Sequence, residues 1–165
     1  MAANAQGKFW EMHDKLFGNQ RELSDENYTK WAGEIGLNMS KFKSDMDGHK
    51  FKANIESDSK DSTAAGASGT PSFFINGRPL VGAQPFDAFE KLIQEEIKHA
   101  DELLKAGTPL DKLYDKIMDT LPKTAAAPAA APEAPAEKVE VALGNAPVKG
   151  PKDAVITIME YSDFQ

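Results

Sequence analysis

The sequence predicts a helix-rich α/β fold that this chain does not complete by itself, and three observations carry that reading. Apolar residues recur at helical spacing through most of the first two thirds of the chain. Asn76-Gly77 sits between two short runs of strand character, the strongest short hairpin signal a sequence offers. Further strand-like residues come only after a long stretch of Ala and Pro, near residue 165.

Each element has a local reason. Phe9, Met12, His13, Leu16 and Phe17 form the first helical stripe, and the chain is expected to open already inside that helix. Ser24 is placed to cap the next helix, Asp25 and Glu26 suit its positive end, and Leu23 can staple onto Tyr28. Tyr28, Trp31, Ala32 and Ile35 give it one apolar face, and Gly36 fits the position after its C-cap. A short helix from Ser40 is expected to turn Phe42 and Met46 inward and to stop at Gly48. His49 to Ala65 repeats the pattern through Phe51, Ile55 and Ser62, closing at Gly66.

The period then changes. Ser72 to Asn76 is a β-branched and aromatic run, and Arg78 to Gly82 is its return. Pro85 fits the first turn of a long helix whose buried face is Phe86, Phe89, Leu92, Ile93 and Ile97. Gly107-Thr108-Pro109 breaks the chain, and a further helix carries Leu110, Leu113, Tyr114, Ile117 and Leu121 before Pro122. Lys123 to Lys138 collapses to Ala, Pro, Glu and Lys, which cannot bury enough surface to fold and reads as a linker. Beyond it Val139, Val141 and Leu143 alternate, Asn145 to Asp153 is turn-rich, and Ala154 to Tyr161 reads as a strand covered on both faces. Two strands do not make a domain.

Composition narrows the function classes. With 41% hydrophobic and 27% charged residues the chain has the balance of a folded protein, and no apolar run approaches a membrane span. A net charge of -7 argues against a nucleic-acid partner, since phosphate binding needs a basic face. MAANAQGKFW shows no signal-peptide pattern. With no cysteine, this chain holds no disulfide, thiolate metal site or cysteine nucleophile.

The most informative string is Gly69-Thr70-Pro71-Ser72-Phe73-Phe74-Ile75-Asn76-Gly77-Arg78-Pro79-Leu80. Alone, Thr-Pro before a strand would be read as trans, since only about 5–6% of X-Pro bonds are cis. With Val81-Gly82-Ala83-Gln84 and the helix that follows, the string resembles the C-terminal half of the DsbA-like branch of the thioredoxin superfamily. GKFWEMHDKLF, LSDENYTKWAGEIGL and the Phe42 to Ala65 stretch resemble that family's helical insertion, so the likeness runs from residue 1 to about residue 98. Separately, Asn145 to Gly150 and AVITIMEYSDFQ (154–165) resemble the first strands of another such domain, where a Cys-x-x-Cys helix follows at once.

The resemblance implies an incomplete thioredoxin-like α/β fold with a helical insertion. Residues 1–105 would be the C-terminal part of one DsbA-like domain, 106–122 an extra helix, 123–138 a linker, and 139–165 the N-terminal strands of a second domain. The expectation is a segment of a tandem protein, with the last strand lying against the hairpin. For the parent it implies thiol–disulfide exchange on cysteine-containing or unfolded polypeptides, in the periplasm or cell envelope, and for this chain redox inactivity. It gives the peptide-facing role to Thr70 and Pro71, with Gly69 allowing close approach. Glu160 takes the place of a pKa-tuning acid in an intact domain, while exposure at a frayed strand is the favoured reading here. No cofactor and no metal is implied.

The remaining residues have plainer readings. His13, His49 and His99 lack metal-site spacing, and Trp10, Trp31 and the phenylalanines sit at packing positions. Lys41, Lys43, Lys50 and Lys52 read as a solvated face, and Gly66, Gly69 and Gly77 as turn glycines. Two other classes of function stand beside the oxidoreductase segment: a non-catalytic peptide-binding module, and a strand-swapped homo-oligomer or structural fragment.

Overall fold

Local capping chemistry sets the helices of the first part of the chain. In the computed structural model, which describes residues 1–67, 69–119 and 138–164, Ser24 accepts from the Asn27 N–H at 3.2 Å and opens helix α2 (Asp25–Glu34). The same helix ends with Gly36 in the left-handed region (φ 77°), Gly36 N–H donating to Gly33 O and Leu37 N–H to Ala32 O. Helix α1 (Phe9–Gly18) carries the first predicted stripe. The chain does not open inside it, however: a 3-10 turn at Asn4–Gln6 comes first, and Gly7 at φ 72° separates the two. Ala2, Ala3, Met12, Trp31, Ala32, Leu37 and Phe42 make one core cluster, against which Leu16, Leu23 and Tyr28 pack.

Helix α3 (Met39–Asp47) is capped by Asn38, which accepts from the Lys41 N–H at 2.9 Å. Phe42 is buried as expected, but Met46 is exposed and Asp45 is the other residue turned inward. An acid is tolerated there because Lys41 and Lys50 donate to its two carboxylate oxygens at 2.7 and 3.0 Å. Those bonds hold the Asp45 carboxyl below its ordinary range. The helix stops at Gly48, its C-cap, as expected. The left-handed residue is His49 (φ 48°), whose N–H donates to Met46 O while Lys50 N–H donates to Asp45 O. Helix α4 (Lys52–Ala64) follows with no buried residue; Ile55, read as part of a stripe, is 56% exposed. Gly66 closes it as expected, at φ 85°.

The chain divides inside α4 into two compact units, Met1–Ser59 with Phe164–Gln165 and Lys60–Asp163. The second is built on a three-stranded antiparallel sheet in the order β2-β1-β3, with β1 (Ser72–Ile75) central. Asn76 and Gly77, at φ 45° and 81°, supply the two left-handed residues that a tight hairpin needs, and β2 (Arg78–Val81) returns from them. Pro79 is accommodated because β2 is an edge strand. On the other side β3 (Ile158–Tyr161) pairs with β1, so the last strand does lie against the hairpin.

Helix α5 (Phe86–Lys105) crosses this sheet, with the Phe89 ring edge-on to Phe73 at 4.9 Å. Pro85 stands just before its first residue, one position earlier than expected. Phe86 is 75% exposed, because it sits in the first turn beyond the part of α5 that reaches the sheet through Phe89. Ala100, Leu113, Ile117 and Met118 join α5 to α6 (Leu113–Asp119), while Leu121, Pro122 and all of the expected linker except Lys138 lie outside the described residues. Strand β3 is shorter than the apolar run and covered on one side only. Met159 and Tyr161 pack with Phe74, whereas Ile158 and Glu160, on the Phe73 face, are exposed at the sheet edge. Val139 and Val141 are buried in that same cluster, and Leu143 is not.

Asn76 does more than turn the chain. Its backbone N–H donates to Thr157 O at 2.9 Å, its Oδ1 accepts from Thr157 N–H at 2.9 Å, and its side chain is 1% exposed. Asn76→Ala leaves Thr157 without that partner and puts an unfavoured residue in the left-handed region. The loss should be about 2–3 kcal/mol in denaturant unfolding. His49→Gly should have the opposite sign, raising stability by about 0.5–1 kcal/mol by relieving the left-handed cost at an exposed position. An unchanged denaturation midpoint would refute the C′ assignment of His49.

Candidate functional site

The Gly69-Thr70-Pro71 loop is fixed on both sides of its middle residue. The Thr70–Pro71 peptide bond is cis, and Pro71 O accepts from the Gly82 N–H at 2.8 Å, tying the proline to the end of β2. Ser72, fully buried, donates its hydroxyl to Gly69 O. Between these anchors Thr70 is exposed, and neither its N–H nor its C=O takes a partner among the described residues. A Cβ at Gly69 would meet nothing within 4 Å, so the approach to the loop is open on that side.

One residue at the loop was missed from sequence. Thr70 Oγ1 donates to Asp163 Oδ2 at 2.8 Å. The contact follows from strand register: Ser72 lies opposite Tyr161, so the next residues in line on the same face are Thr70 and Asp163. The signal was present in the SDF run after β3, but only the pairing of β3 with β1 makes it legible. Glu160 stands opposite Phe73 and is exposed, which keeps it apart from Thr70.

A second cluster lies at the far end of β1 and had no sequence signal of its own. Glu96 of α5 is 2% exposed. Lys138 Nζ donates to its Oε2 at 2.7 Å and also to His99 Nδ1 at 3.2 Å, while Arg78 and His99 approach Glu96 at 3.5 Å. Arg78 additionally binds Glu95, and that bond holds the Glu95 carboxyl below its usual range. Close by in sequence, Val139 N–H donates to Gly77 O at 2.8 Å and Tyr114 donates its hydroxyl to Val141 O at 2.6 Å. Burial pushes the Tyr114 phenol up to about 12. Among the described residues no three His, Asp or Glu side chains gather as a metal site.

Residues 1–94 match the family described as DSBA-like thioredoxin domain, more than half of the chain. The chain belongs to that family. Its curated relatives include a Na(+)/H(+) antiporter NhaA of Herminiimonas arsenicoxydans, 38% identical over 82 residues, which are 50% of this chain and 13% of that protein. An antiporter NhaA 3 of Salinispora tropica is 31% identical over 99 residues, 60% of this chain and 15% of its own length. An antiporter NhaA 1 of Mycolicibacterium gilvum is 34% identical over 89 residues, 53% of this chain and 14% of its own length. The DsbA-like chain thus spans about a seventh of these relatives, whose name describes proteins with most of their length unmatched here. No solved structure matches it. None of its described helices is long and apolar enough to cross a membrane.

The raised Tyr114 pKa has a stability consequence with a definite sign. The unfolded phenol ionises near its ordinary value of 10, the folded one near 12, so its contribution is intact below pH 10 and lost as pH rises towards 12. Absorbance titration should show the Tyr114 phenol ionising near pH 12. In Tyr114→Phe that late phase should be gone, and the alkaline fall in stability should shrink with it.

Proposed function

We propose that this chain is a segment of a thiol–disulfide oxidoreductase of the DsbA-like family, and that its Gly69-Thr70-Pro71 loop holds an extended substrate chain. The observation that carries the reading is Thr70, exposed, anchored on both sides and with its main-chain groups open, in a chain of this family. An incoming polypeptide would pair its backbone with Thr70 N–H and C=O, a short form of strand addition. Residues 139–165 are proposed as the first strands of a second domain of the same kind. This chain contains no cysteine, so the thiolate that attacks or leaves in the exchange would come from a Cys-x-x-Cys helix outside it, where a helix N-terminus lowers the thiol pKa. Glu160 would tune that pKa in an intact domain. A periplasmic or envelope setting fits this chemistry.

The lack of cysteine favours a second reading, a non-catalytic module that uses the same loop to bind extended peptides. The two readings part on the surrounding gene: Cys-x-x-Cys encoded directly after Gln165 or upstream of Met1 supports the first, and its absence from both leaves the second. The loop itself is tested by titrating a reduced, alkylated, unfolded polypeptide against the chain. Wild type should bind saturably and Thr70→Arg about tenfold or more weakly. Equal, negligible binding by both would remove the peptide-facing role.

A further inference from the structure

Residues 138–141 form an extended segment of the second unit, held in the manner of a bound peptide. Their burial alternates as in a strand, with Val139 and Val141 each 3% exposed and Glu140 turned to solvent. Two main-chain bonds hold them, Val139 N–H to Gly77 O at 2.8 Å and Tyr114 hydroxyl to Val141 O at 2.6 Å. Neither bond depends on which side chain the segment carries. Selectivity comes from two other features: the apolar cluster with Ala65 and Phe74 that receives both valines, and Glu96, which receives Lys138.

Glu96 decides the first position. Its carboxylate is buried, and Lys138 at 2.7 Å is its nearest basic partner; Arg78 and His99 stand at 3.5 Å, with Arg78 shared with Glu95. A segment with an apolar or acidic residue there would leave a buried carboxylate short of its closest donor, which is costly. The surface therefore reads a pattern: basic, apolar, any residue, apolar.

The geometry points to a peptide-binding groove, formed by the Asn76-Gly77 turn, Ala65, the Phe74 side of β1, Glu96 of α5 and Tyr114 of α6, that takes an extended basic–apolar–x–apolar segment of another polypeptide and that this chain fills with its own residues 138–141. Its polar anchors at Gly77 and Glu96 lie at the opposite end of β1 from Thr70, and Thr70 is not among the residues that receive the segment. The internal segment belongs to the same chain, so it engages the groove intramolecularly and a free peptide competes at a disadvantage. A free peptide is thus excluded until the internal one is weakened.

The test uses the full chain and a fluorescent peptide of residues 138–144. Val139→Asp with Val141→Asp disables the internal segment, and this variant should bind the peptide saturably while wild type binds it about tenfold or more weakly. On the same variant, a peptide with Glu in place of its Lys should bind about tenfold or more weakly, and Glu96→Gln should erase that difference. If the double variant loses its helix signal in circular dichroism, Lys138→Glu releases the segment with its valines intact and must give the same peptide binding. No saturable binding to a folded variant, or binding indifferent to the Lys-to-Glu exchange, overturns the groove.

Discussion

The sheet of the second unit depends on a two-residue turn. Asn76 and Gly77 adopt left-handed conformations to return the hairpin, and that geometry aims their polar groups outward along the sheet. Asn76 engages Thr157 through both backbone and side chain, while Gly77 O receives Val139 N–H. A local feature of the hairpin thereby fixes two segments that are far away in sequence. It also fixes register: with Asn76 on Thr157, the ladder places Ser72 on Tyr161 and brings Asp163 to Thr70. The open loop at one end of β1 is set by the turn at the other.

What was legible in the sequence was mostly local. Ser24, Gly36, Gly66 and Asn76-Gly77 act through neighbours a few residues away, and each does what its chemistry suggests. Readings failed where apolar character alone was taken to mean burial. Met46 looked like the inward residue of α3 because it is apolar, yet Asp45 is buried there, made tolerable by Lys41 and by Lys50 beyond the helix. Phe86 looked like core because it is large and in phase with Phe89, but the helix reaches the sheet only from the next turn onward. The Ala154–Tyr161 run looked doubly covered; apolar content does not say whether an element exists to cover the second face.

The same division applies to the sites. Gly69, Thr70 and Pro71 could be picked out because a contiguous string carries the family likeness, and the DSBA-like match over residues 1–94 agrees with it. Glu96 could not. Its environment is assembled from β2, α5 and a segment 42 residues onward at Lys138, and no spacing rule connects them. Asp163 falls between: visible as part of a motif, but meaningful only once two strands are paired.

Helix α4 gives the chain a weak joint. It buries none of its residues, and the left-handed glycine at its end closes its backbone ladder. A helix of this length is marginal without tertiary support, and such elements unravel at a small fraction of the global unfolding free energy. The division into two units falls within it. Its amides therefore exchange with solvent on their own schedule, ahead of the sheet, and a protease meets a cleavable backbone there while both cores are still folded.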